Sequence, residues 1–276
     1  MRDFPALHPE LRDRLGLSPE DFGAFLTTYL GAVPPRPYGP EQADFALGYP
    51  WSRPPGSYRL RDGEVLPYDG VAGDDRYPIL AFGSNASPSA LTRKFAHFEA
   101  ARDRDVEVLA GDLHDFDVGP AAAIAAYGAM PATIFASPGT RVRAAVVYAT
   151  DAQATQLTWS ELTYRFGRLC PVRFAAADGE VDELFAYVHR FGSFQPDGEP
   201  LALAAVPASG RTARTVTQRE LLERVAGALV GDGAVAEDLV EAIHVHGPGA
   251  MLAKVREHVL PHGVPFASPQ WTPYGR

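Results

Sequence analysis

RYPILAFGSNASPSALTRKF (residues 76–95) is a strand-to-helix corner written in one line. Pro78 to Phe82 form the short apolar run expected of a buried strand. Gly83, Ser84 and Asn85 follow at once. Ser87 then stands as an N-cap, with Pro88 at the first helical position of SPSALTRKF. Gly83 permits an unusual backbone conformation or the close approach of another group. The corner sits just ahead of a helix N-terminus, where free N–H groups and the helix dipole favour an anion such as a substrate carboxylate. Serine and asparagine also close ordinary turns through their side chains. Two readings therefore stand open from this stretch: a turn, or a turn that holds a ligand.

The chain around it has 276 residues, 46% of them apolar, a formal net charge of −9 and one cysteine, Cys170. That composition suits one large globular domain or two small ones. No apolar run reaches the roughly 18 residues that span a bilayer, and the opening MRDFPALHPELRDRLG has no apolar signal core. The expectation is a cytoplasmic protein with no membrane partner. The acidic balance argues against nucleic acid as a partner. A single cysteine excludes an internal disulfide framework and a thiolate-rich zinc site. In RLCPVRF, Cys170 reads as a small core residue at a strand start.

Motifs for cofactor chemistry are missing: no G-x-G-x-x-G after a strand, no P-loop, no H-E-x-x-H and no G-x-S-x-G. His244, His246, His258 and His262 lie close in sequence. Histidines two apart on a helix face different sides, however, and no carboxylate spacing completes a metal site. Neither a metal nor a cofactor is expected.

Three textures divide the chain. Residues 1–76 are rich in proline and turns, with one helix in LSPEDFGAFLTTYLGAV capped by Ser18, and read as an N-terminal arm that packs on the main body. VPPRPYGPEQ and YPWSRPPGS within it read as irregular or extended. Residues 77–207 alternate strands with turn signals. MPATIFAS and RVRAAVVYAT flank a Pro138-Gly139 turn, and LFAYVHRF and LALAAVP give further strands. A short helix starts at the Thr150/Gln153 capping box. Residues 208–276 turn helical, beginning at a second box, Thr217/Glu220, and end in an extended aromatic tail. The fold class is α+β, a small mixed β-barrel or sheet flanked by helices.

Taken in order, Phe82-Gly83-Ser84-Asn85, Ala132-Thr133-Ile134, Pro138-Gly139, the valine-rich run Val142 to Tyr148, Leu157, Glu161 and Tyr164 resemble the γ-glutamyl cyclotransferase-like family. The resemblance covers about residues 77–205 and implies that family's fold. Carried over position by position, it makes Glu161 the catalytic glutamate and Gly83, Ser84 and Asn85 the substrate-binding loop. Phe82 ends the strand that presents the loop, Ala86 follows it, and Tyr164 matches a tyrosine near the catalytic acid. Phe82 stands where tyrosine is commoner, Ala86 where leucine usually follows, and Leu162 where many members carry glycine.

The implied reaction is internal. The α-amine of a γ-glutamyl compound attacks its own γ-carbonyl, 5-oxoproline forms, and an amine or amino acid leaves. It asks for a bent substrate, donors for an oxyanion and one proton shuttle. The expected activity is release of 5-oxoproline from a small γ-glutamyl amine or peptide. The alternative is a non-catalytic protein that binds a small molecule or a partner on the same fold. Hydrolysis or amidotransfer of a γ-glutamyl substrate is a third reading. Ser84 as a covalent nucleophile would need His114 or His189 brought to it by the fold. Oligomeric state is left open.

Overall fold

The computed structural model describes residues 16–70, 75–177 and 179–274, so the opening residues 1–15 lie outside it. Helix α1 (Pro19–Gly31) begins as expected, with the Ser18 side chain accepting from the Asp21 N–H. A second helix, α2 (Pro40–Leu47), follows it. Its first residues fall in a segment that reads as irregular. Pro40 and Glu41 are a proline and an acid in a first helical turn, the same signal as Pro19 and Glu20, and the surrounding prolines hide it. Next comes a hairpin, β1 (Tyr58–Arg61) and β2 (Glu64–Pro67), turned by Asp62 and Gly63. Both turn residues have positive φ, the geometry for which Asp-Gly is suited.

The corner itself folds as read: strand β3 (Tyr77–Ala81), a single 3-10 turn at Ser84–Ala86, then α3 (Pro88–Phe95). Ser87 holds the cap position, but its hydroxyl pairs with the Ser89 hydroxyl at 3.0 Å and makes no cap bond. A one-turn helix, α4 (Ala101–Arg104), leads into β4 (Asp105–Pro120), which pairs antiparallel with β5 (Ala132–Ala149). The expected turn at Pro138-Gly139 is not one. Both apolar runs belong to β5, because both pair with β4. Residues 137–140 stand opposite Asp115 alone, as a bulge in which the Gly139 N–H donates to Asp115 Oδ1 at 2.9 Å.

Helix α5 (Asp151–Ser160) starts at the Thr150/Gln153 box, with both halves formed. Then come β6 (Tyr164–Leu169), β7 (Phe174–Ala176), β8 (Gly179–Val181), β9 (Leu184–His189), β10 (Ser193–Phe194), β11 (Leu201–Leu203), β12 (Ala208–Ser209) and β13 (Arg214–Val216). Three helices follow: α6 (Gln218–Leu229) behind the formed Thr217/Glu220 box, α7 (Ala236–His246) and α8 (Pro248–His258). Short β14 (Gly263–Val264) and β15 (Trp271–Pro273) end the described chain, and β15 folds back onto β6.

The principal sheet runs β15-β6-β9-β3-β5-β4-β1-β2, with β12 on β5 and β7 and β8 beside β4. It is mixed, since β3 is parallel to β9 and antiparallel to β5. The fold is α+β, but among the described residues the sheet stays open and forms no barrel. The strands at the two ends of that path carry Pro67 and Pro273, which cannot donate to a further ladder.

Strand β3 explains why its sequence is apolar at every position. Ile79 and Ala81 face one core cluster with Leu91, Phe95 and Leu157, while Leu80 joins a second with Leu221, Val225 and Leu239. Burial on both faces removes the alternation that a one-sided strand would show.

Candidate active site

Gly83 lies just beyond the end of β3 at a φ of −110°, so left-handed freedom is not what it supplies. A Cβ here would lie 2.7 Å from the Tyr49 hydroxyl and 3.1 Å from the Ala132 Cβ. Close approach is the reason for the glycine. The Ala132 N–H donates to the Tyr49 hydroxyl at 2.9 Å, and the Tyr164 hydroxyl donates to the Ala132 carbonyl at 2.8 Å. One residue of β5 is therefore clasped by two tyrosines. Burial pushes both phenols well above their ordinary pKa, so both hydroxyls keep their protons at neutral pH.

The corner's polar work falls to Asn85. Its Nδ2 donates to Glu161 Oε1 at 3.0 Å, and its Oδ1 accepts from Lys94 Nζ at 2.7 Å. Lys94 Nζ also reaches Glu161 Oε1 at 2.8 Å, which closes a ring of three side chains. Each comes from a different element: the 3-10 turn, the last turn of α3, and the residue that caps the C-terminus of α5. The Glu161 side chain is 12% exposed and that of Lys94 18%. Both bonds fall on Oε1, so Glu161 Oε2 stands outside the ring. A buried ion pair of this kind is favourable only with further hydrogen bonds, which Asn85 supplies.

The ring opens on a cavity of about 930 Å³, whose wall includes Ser84, Lys94, Ser160, Glu161 and Tyr164. Beneath lies a pocket of about 20 Å³ walled by Phe82, Gly83, Ser84, Asn85, Glu161 and Tyr164. The structure thus brings together six of the seven residues read from the sequence. Ala86 is the exception: it lines neither space and is buried in the core cluster of α3 and α5, with its carbonyl accepting from the Tyr58 hydroxyl. The N-terminus of α3 also differs from expectation, since Ser87 and Pro88 line neither space. Positive charge reaches the site from Lys94, at the other end of that helix.

Sequence reasoning missed Lys94 and Tyr49. Lys94 had a signal, because it falls between Leu91 and Phe95 on the face that α3 buries, and a lysine there needs a partner. Tyr49 carries no local signal; only the fold brings the arm to Gly83. Near it, Trp51 and Phe45 meet at a 32° tilt with ring centroids 4.4 Å apart, and the Arg93 guanidinium lies 5.0 Å from the Trp51 ring.

His189 lines the large cavity too, and burial lowers its pKa from the usual 6.5 to about 3. It is neutral at physiological pH, with Nδ1 accepting from the Phe191 N–H at 3.3 Å and the ring set edge-on to Tyr164. Among the described residues no hydrogen bond joins Ser84 to His189 or His114, so the arrangement needed for a serine nucleophile is not formed. Nor is there, among those residues, a group of three or more histidine, cysteine, aspartate or glutamate residues able to hold a metal ion. No described helix is long and apolar enough to cross a membrane.

No family model matches the chain, and no curated protein does. A solved structure described as a gamma-glutamyl cyclotransferase aligns with a TM-score of 0.33 and 18% identity, over 41% of this chain and 66% of that one.

Proposed function

We propose that this chain is a γ-glutamyl cyclotransferase-like enzyme that releases 5-oxoproline from a small γ-glutamyl amine or peptide. The observation that carries the reading is the Asn85–Lys94–Glu161 ring at the head of the large cavity. In this reading residues 77–207 form the catalytic core, and residues 1–76 and 208–276 are an arm and a helical extension built upon it.

Glu161 Oε2 takes a proton from the substrate ammonium, and the freed amine attacks the γ-carbonyl carbon. The new C–N bond closes the five-membered ring and places negative charge on the carbonyl oxygen. Collapse of that oxyanion breaks the bond to the leaving nitrogen, which receives the proton from Glu161. The ring nitrogen, left cationic with two hydrogens by the attack, gives one back through Glu161 to the leaving amine, so that the neutral lactam and an ammonium ion depart. Lys94 and Asn85 hold the carboxylate at one angle throughout. Lys94 Nζ has a third N–H beyond the two used in the ring, suited to the substrate carboxylate or the oxyanion. Tyr49 adds a neutral hydroxyl donor at the same corner.

The ion pair also supports a second reading. A non-catalytic protein that binds a zwitterion would set its ammonium on Glu161 and its carboxylate on Lys94. Incubation with γ-glutamyl amines and dipeptides, followed by mass spectrometry for 5-oxoproline, separates the two. The expected outcome is lactam from the wild type and a loss on the order of 100-fold or more in Glu161→Gln. Free glutamate in place of lactam would indicate hydrolysis. Binding without any turnover would leave the second reading.

A further inference from the structure

We infer that the leaving group of the substrate is a bulky apolar amine, seated in the part of the large cavity that runs between α1 and α8. This inference rests on the cyclotransferase reading for the position of the scissile bond. The γ-glutamyl group is no larger than a single amino acid, whereas a cavity of about 930 Å³ lies near the top of the range that holds drug-sized ligands. Most of the space is therefore left for whatever departs.

The lining divides by chemistry. At the Glu161 end the wall carries Ser84, Lys94 and Ser160. Toward the helices the wall presents Leu30 of α1, Leu252 and Val255 of α8, and Phe191 packed against both, with Ile124 also in the lining. Phe22, Leu26 and Leu252 form their own buried cluster, so α1 and α8 make one continuous wall. The cation of that wall, Arg256, is engaged: Nη2 donates to the Gly23 carbonyl and to the Thr27 hydroxyl, each at 2.7 Å. Glu20 stands at the exposed rim. Among the described residues Arg256 is paired and Glu20 is exposed to solvent, so the buried wall of this half presents no unpaired charge, and its area rewards an apolar leaving group.

The two halves are one continuous space, so the same molecule spans both. Its γ-glutamyl end fixes the position of the bond to be broken, and the chain attached to the nitrogen has a single direction to extend. Binding energy from that remote part positions the reacting end, as in any enzyme that holds its substrate by more than the reacting atoms.

A series of γ-glutamyl methyl-, butyl- and hexylamides tests the inference with two readouts. Calorimetric titration of the Glu161→Gln protein, in which turnover is removed, gives Kd directly. The same titration on wild type, read together with 5-oxoproline release, covers the case in which that variant does not fold. Kd is expected to fall roughly threefold to fourfold for each added methylene, with kcat/KM rising in parallel in the wild type. A Kd that stays flat or rises along the series overturns the inference, whether or not lactam forms. Tightening along the series without lactam upholds the apolar subsite and removes the cyclotransferase reading. Ala24→Trp locates it: this α1 residue lines the cavity from an exposed helix position, and the indole should fill the space. The affinity ratio of hexylamide to methylamide is expected to drop toward one. An unchanged ratio in a variant with wild-type circular dichroism would overturn the placement against α1.

Discussion

Gly83 shows how one missing side chain organises a site. Its hydrogen faces the Tyr49 hydroxyl, and the space is too short for a methyl group. Gly83→Ala is therefore expected to destabilise the protein by about 1–3 kcal/mol through overpacking, measured by denaturant unfolding. Tyr49→Phe removes the oxygen that an alanine would strike, at the separate cost of leaving the Ala132 N–H unpaired. The two changes should be non-additive: in the Tyr49→Phe background the cost of Gly83→Ala should be smaller by about 1 kcal/mol or more. Additive costs would mean that the glycine answers to another neighbour. At this scale the sequence was readable where chemistry is local. The Phe82–Asn85 corner announces itself by residue type, whereas Glu161 enters only through the resemblance of the whole motif series. Lys94 was readable only as a charge on a buried helix face, and Tyr49 not at all, since its partner lies 83 residues away.

Among the elements, helices announced themselves best, because capping boxes act within four residues. Thr150/Gln153 and Thr217/Glu220 form both of their reciprocal bonds. Strand β5 was harder. A proline and a glycine between two apolar runs have the composition of a hairpin turn, and only the presence of β4 along both runs makes them a bulge. The last residue of β9 gives the prediction that belongs here. His189 is buried and neutral, and its pKa falls from 6.5 to about 3. Between those values the unfolded chain binds a proton that the native one does not, so falling pH favours unfolding. Relative to His189→Phe, the wild type should lose about 1.4 kcal/mol of stability per pH unit below pH 6.5, down to about pH 3. Unfolding free energies of the two proteins across that window give the difference; a constant difference would show that the ring is protonated in the native state.

In the whole molecule, one core cluster joins Ala46 and Tyr49 of the arm, the strands of the sheet and the C-terminal helices through Val259. The link between the sheet and the segment that leads to those helices is ionic as well as apolar. Arg211 makes two bonds of 2.7 Å to Asp117 on β4, whose side chain is fully buried. Arg211→Met should cost roughly 3–5 kcal/mol, because it leaves a buried carboxylate without its cation. Restoration of stability by Asp117→Leu in the same chain would identify that unpaired charge as the cause. Such long-range pairings are what composition and periodicity leave unread: the α+β class and the helices follow from local pattern, while the open sheet follows from which strands find each other.

The backbone clasped by Tyr49 and Tyr164 has a use of its own. The Ala132 amide proton is held by a phenol of the arm and not by a neighbouring strand. Its exchange with deuterated solvent is therefore limited by departure of the arm rather than by opening of the sheet. Followed by nuclear magnetic resonance, that single proton becomes a clock for how often residue 49 leaves the corner, and a ligand that seals the corner would slow it.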